Sequence, residues 1–177
     1  MLEKLHITVR QWLRLLKWTL YTMSFLLVLM LETVTLGDVH LFGVQLHWIP
    51  SLLVCVAVKE GAERGGLFAL LCSLFWCLSG ADFGSVSIAV LTALAVFSGL
   101  ACTHWLNNRL LACMLCCFLA QLCSDSVLFL FHLFFRGVQP MRYFTVLLPG
   151  VALSTLMSPL LYGLTKAISR IGGKYGS

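Results

Sequence analysis

Asp125 stands where a carboxylate is costly to keep, deep in the apolar stretch from Leu110 to Phe135. Ser124 and Ser126 flank it, Gln121 lies one helical turn before it and His132 two turns after it, all near one face if the stretch is a helix. A carboxylate within a membrane normally faces protein or a water-filled cavity, which makes it a functional candidate by default. A proton relay needs a second buried acid or base. The sequence offers none nearby, so the expected role of Asp125 is to fasten one helix to another through the neighbouring Ser and Gln groups. Glu32 reads as an interfacial acid at the outer end of an earlier apolar stretch, and nothing in the sequence supports pairing it with Arg136 or Arg142.

The eight cysteines are Cys55, Cys72, Cys77, Cys102, Cys113, Cys116, Cys117 and Cys123, and all fall inside apolar stretches. A disulfide framework belongs to an oxidising aqueous compartment. Cys113, Cys116 and Cys117 suggest a metal site superficially, but on one helix they lack the second ligand pair that structural zinc takes. They are expected to be small apolar fillers. Nucleophilic catalysis needs a Ser or Cys held beside a His, yet His6, His40, His47, His104 and His132 are scattered along the chain without a G-x-S-x-G, H-E-x-x-H or Walker-type run. No catalytic residue, metal site or cofactor is expected, and the chain reads as non-enzymatic.

The elements that hold these residues follow from composition. Of 177 residues, 60% are hydrophobic and 11% charged, against about 25% charged in a soluble domain. Such a chain cannot cover itself with polar surface, so lipid is its solvent. Residues 1–17 form an amphipathic segment, with Leu2, Leu5, Val9, Leu13 and Leu16 near one face and Arg10, Arg14 and Lys17 on another. Membrane-surface packing is its commonest use, and anionic lipid or an acidic partner is a further candidate. The apolar core that follows has no A-x-A-like cleavage site and reads as a retained span.

Spans are expected at 18–36, 48–58, 67–78, 85–105, 110–135 and 143–166. The second is short for a crossing of about 30 Å and must borrow flanking residues or be buried by neighbours. Residues 37–47 suggest a short hairpin-like element. Lys59 to Gly66 reads as a tight turn supplied with glycine, Ser79 to Gly84 and Leu106 to Arg109 as further turns, and the sixth span carries Pro149 and Pro159 in its interior. With both termini in the cytoplasm, Lys4, Arg10, Arg14, Lys17, Lys59, Arg64, Arg109, Lys166, Arg170 and Lys174 face inward. Only Arg136 and Arg142 of the 12 basic residues face outward. The net charge of +5 is thereby explained by topology. No folded basic domain exists to present it to nucleic acid.

One pattern is specific enough to compare. Pro50 opens a short span that leaves through Ala57, Glu60 and Gly61. Gly65 and Gly66 follow, then an apolar span ending in Ser79 and Gly80, with Gly84 beyond. A last span ends in Ser158, Pro159, Leu160 and Leu161 before a basic tail. In this the chain resembles the rod shape-determining membrane protein MreD family. The family often has an Asp shortly before the Ser-Gly, where this chain has Phe75, Trp76 and Cys77, so a role attached to that Asp does not carry over.

The resemblance implies a six-helix all-α bundle similar to the substrate-binding subunits of energy-coupling-factor vitamin transporters, in the bacterial cytoplasmic membrane. It implies a scaffold of the cell-elongation machinery, with MreC as the first partner and MreB, RodA and a class B penicillin-binding protein as members of the complex that builds peptidoglycan. Pro50, Glu60, Gly61, Gly65, Gly66, Gly84, Asp125 and Pro159 are the candidate structural or partner-contact residues. The alternative is a subunit for vitamin uptake. Such subunits carry an Ala-rich patch on the first span, whereas no Ala or Gly occurs from Met1 to Leu36.

Overall fold

The computed structural model describes residues 9–35, 47–79, 84–104, 110–136 and 148–173, and 96% of these are helical. The elements are α1 (Val9–Met30), a π-helical continuation (Leu31–Thr35), α2 (Ile49–Glu60), α3 (Ala62–Leu78), α4 (Gly84–His104), α5 (Leu110–Arg136), α6 (Leu148–Leu156) and α7 (Ser158–Gly173). Among the described residues the fold is all-α, and four segments are long and apolar enough to cross a membrane: Gln11–Thr33, Val86–His104, Leu110–Phe131 and Pro149–Arg170. The hairpin-like element expected before His47, the turn expected at Leu106 to Arg109 and the residues from Gly80 to Phe83 lie outside the described residues.

The short second apolar stretch is the axis of the bundle. Every residue from Ile49 to Val58 is buried, because a helix apolar on all sides has no face to offer water. Twelve residues rise only about 18 Å, so α2 cannot cross a bilayer alone. It is sheathed by α1, α3, α4, α5 and α7. Outside this sheath the chain turns large apolar side chains outward, among them Leu67, Leu71, Leu78, Phe97, Leu111 and Phe134. Such a surface suits lipid rather than water.

Several expected boundaries shift. The amphipathic segment is not separate from the first span: from Val9 onward it is one helix with it. The glycine-rich turn at Lys59 to Gly66 shrinks to a single residue. Gly61, with φ 90° and ψ 166°, ends α2 and starts α3, a backbone region open almost only to glycine. Gly65 and Gly66 lie inside α3. A Cβ on Gly65 would run into the Cα and Cβ of Ala57 on α2, and one on Gly66 would meet Val96 on α4. Gly65 therefore sets a close approach of backbones, the usual basis of helix association in lipid, while Gly66 makes room for the Val96 side chain. Gly84 opens α4 rather than belonging to the preceding turn.

Pro149 and Pro159 are not interior to one helix either. Each sits in a first helical turn, where the missing N–H costs nothing. The last span breaks at Met157, with Ser154 and Met157 carbonyls taking the bonds around the break.

Candidate functional site

Helical spacing puts Ser51, Cys55 and Lys59 of α2 in one line, and Cys113, Cys117, Gln121 and Asp125 of α5 in another. The two lines meet. Cys55 Sγ lies 3.6 Å from Cys113 Sγ and 3.7 Å from Cys117 Sγ, while Cys117 Sγ is 3.7 Å from the Ser51 carbonyl oxygen. Since Cys117 follows Cys113 while Ser51 precedes Cys55, the helices run antiparallel. The result is a polar seam through the centre of an otherwise apolar bundle.

One end of the seam is acidic. Pro50 brings no N–H to the start of α2, and Trp48 provides no side-chain cap, so the first donors of the helix need an outside acceptor. Glu32 fills that need from the π-helical segment. Its Oε2 accepts from the backbone N–H groups of Trp48 and Ile49, both at 3.3 Å, and its Oε1 pairs with His47 Nδ1 at 3.0 Å. A carboxylate is favoured there by the helix dipole as well.

Glu32, at the end of the first apolar segment, is only 9% exposed and so is covered by protein. Asp125 lies near enough for its charge to act on both His47 and Glu32, and it accepts from Gln121 Nε2 at 3.4 Å. A second buried acid and a histidine thus accompany Asp125, contrary to the expectation that it stands alone. Burial pushes the His47 imidazole pKa down, but the hydrogen bond and charge of Glu32, with the charge of Asp125, more than offset this and raise it above its ordinary value. The side chain of His132 lies outside the described residues.

The other end is basic. Glu60 is partly buried, its side chain held by Lys17 Nζ at 2.6 Å and by the Tyr21 hydroxyl, which donates at 2.8 Å. Lys17 is thereby committed to the bundle rather than to lipid or an acidic partner. Lys59 Nζ donates to the Tyr162 hydroxyl of α7 at 2.8 Å and stands 4.3 Å from that ring's centroid. The pair is partly buried, with the Lys17 side chain 17% exposed, so removing Lys17 would leave Glu60 with the Tyr21 hydroxyl alone.

Of the eight residues singled out from sequence, Pro50, Glu60 and Asp125 fall on or beside the seam. Gly61, Gly65 and Gly66 form the joint between α2, α3 and α4, while Gly84 and Pro159 mark helix starts. The sequence reading missed Cys55 as the partner of Cys113 and Cys117, and missed Glu32 and His47 as a pair. The signal for the first was the shared spacing of four in both helices. Gly99 was also missed: a Cβ there would lie 2.9 Å from Ala62 Cα, so α4 crosses directly over the joint. Ser51 Oγ and Gln121 Oε1 are buried in the seam without a hydrogen-bond partner among the described residues. Comparisons with protein-family models, curated proteins and solved structures found no match to this chain.

Proposed function

We propose that this protein is a non-enzymatic scaffold of a bacterial cell-elongation complex, similar to the MreD family, with six spans in the cytoplasmic membrane and both termini inside. The observation that carries the reading is the joint at Glu60, Gly61, Gly65 and Gly66. Glu60 is locked by Lys17 and Tyr21, Gly61 turns the chain in one residue, and Gly65 seats α3 against Ala57. The residues that carry the resemblance thus hold helices together. A bundle built this way offers partners its outer helix faces, which carry Leu67, Leu71 and Phe75 on α3 and Phe97 on α4.

The partner expected first is MreC, with MreB, RodA and a class B penicillin-binding protein in the same assembly. Depletion in a rod-shaped bacterium that encodes this chain should round the cells and disperse the elongation complex, and MreC should copurify with the solubilised protein. Copurification of a transporter ATPase module instead, with cells that keep their shape and regain growth on an added vitamin, would mean an uptake subunit.

A further inference from the structure

We propose that Cys55, Cys113 and Cys117 form a three-sulfur site for a soft monovalent metal ion, Cu(I), in the middle of the bundle. The proposal does not rest on the scaffold reading.

Three observations carry it. The first is geometry. The three Sγ atoms lie within 4.8 Å of one another, with Cys55 at 3.6 and 3.7 Å from the other two. Three sulfurs each about 2.3 Å from one ion stand about 3.8–4.0 Å apart, so a small outward movement of each thiol admits the ion. All three are buried, and they come from two helices that the fold fixes against each other. Convergence of this kind is not expected of cysteines that merely fill space.

The second is donor type. Thiolate sulfur selects Cu(I), zinc or iron–sulfur clusters. Structural zinc takes four ligands, and among the described residues no fourth His, Cys, Asp or Glu joins this group. Three sulfurs suffice for Cu(I).

The third is charge. When Cu(I) binds, the three thiols lose their protons to solvent and ligate as thiolates, so the site passes from neutral to two net negative charges. Isolated charge in an apolar interior is costly. Lys59 is one turn beyond Cys55, and its ammonium charge acts on Cys113. It offsets one of the two charges. Toward the other end of the seam, Ser51 Oγ and Gln121 Oε1 are buried without hydrogen-bond partners among the described residues, and beyond them come Asp125, His47 and Glu32. These groups continue the polar seam beside the site.

The test uses the full chain, purified in detergent under reducing, oxygen-free conditions and loaded with Cu(I) alone. One Cu(I) per chain should survive challenge by a chromophoric Cu(I) chelator. Cys55→Ser and Cys117→Ser should each weaken retention by more than the ~100-fold that an outer-shell change costs. Cys77→Ser and Cys123→Ser should retain the ion as the parent does. X-ray absorption on the loaded parent should report three sulfur neighbours, a measurement that needs no variant to fold. Retention unchanged in Cys55→Ser, retention lost instead in Cys102→Ser or Cys116→Ser, or fewer than three sulfur neighbours in the parent would each overturn the site. Preferential uptake of zinc with a fourth ligand would overturn the assignment to Cu(I).

Discussion

Glu32 and His47 are 15 positions apart in sequence and 3.0 Å apart at the head of α2, which makes the pair the most direct handle on how pH reaches this fold. The groups facing His47 are Glu32 from the π-helical segment and Asp125 from α5. Trp76 of α3 meets the ring edge-on, and Ser154 of α6 accepts from the His47 backbone N–H. Both acids favour the imidazolium, so the folded pKa lies above the unfolded value of about 6.5. The stabilisation is therefore full below about pH 6.5 and is lost as pH rises through the folded value. Thermal melts of the solubilised protein should show stability falling as pH is raised from about 6 through the raised pKa of His47. In Glu32→Gln that fall should be much reduced. A parent whose stability is flat across this range would show that the pair contributes nothing.

The sequence could not reveal this pair. Glu32 lies at the end of a span, where an acid is ordinarily solvated, and only the placement of α2's uncapped N-terminus gives it work to do.

At the scale of elements, the short span from 48 to 58 was legible as a helix needing cover, because its length falls below a crossing and its composition is apolar throughout. What covers it was not legible, since an apolar helix without a polar face carries no directional signal. The glycines misled for a related reason. Glycine in a polar cluster suggests a turn, but only Gly61 uses its conformational freedom, and Gly65 is needed for its missing side chain. The two roles predict different outcomes. Gly65→Val should push α3 off Ala57 and destabilise the bundle by about 1–3 kcal/mol through overpacking. A second change, Ala57→Gly, removes the Cβ contact but leaves that with the Ala57 Cα, so it should recover only a small part of that loss. Gly61→Ala has open space around it, so its cost of about 1–3 kcal/mol comes from the backbone alone, and Ala57→Gly should not relieve it. Denaturation of the four variants in one detergent would separate the roles; relief of Gly61→Ala by the second change would contradict the assignment.

For the whole molecule, the arrangement of charge gives the bundle two unlike ends. Lys17, Glu60 and Tyr21 bind the middle of α1 to the end of α2, and Lys59 with Lys166 gathers at Tyr162 of α7. At the other end of α2 stand Glu32, His47 and Asp125. The basic end is thus assembled from residues distant in sequence, and in the proposed topology it is the end that the tendency of Lys and Arg to stay in the cytoplasm would put on the inner face. The proposed six crossings with both termini inside would place ten of the 12 basic residues there; α2 alone, at twelve residues, is too short to cross. Reporter fusions or cysteine accessibility should therefore find Glu63 and Gly176 on the cytoplasmic side and Val39, Asp82 and Gly137 on the far side. A cytoplasmic Gly137 together with an external Gly176 would invert the second half of the bundle, which is incompatible with Lys59 of α2 and Lys166 of α7 meeting at one tyrosine.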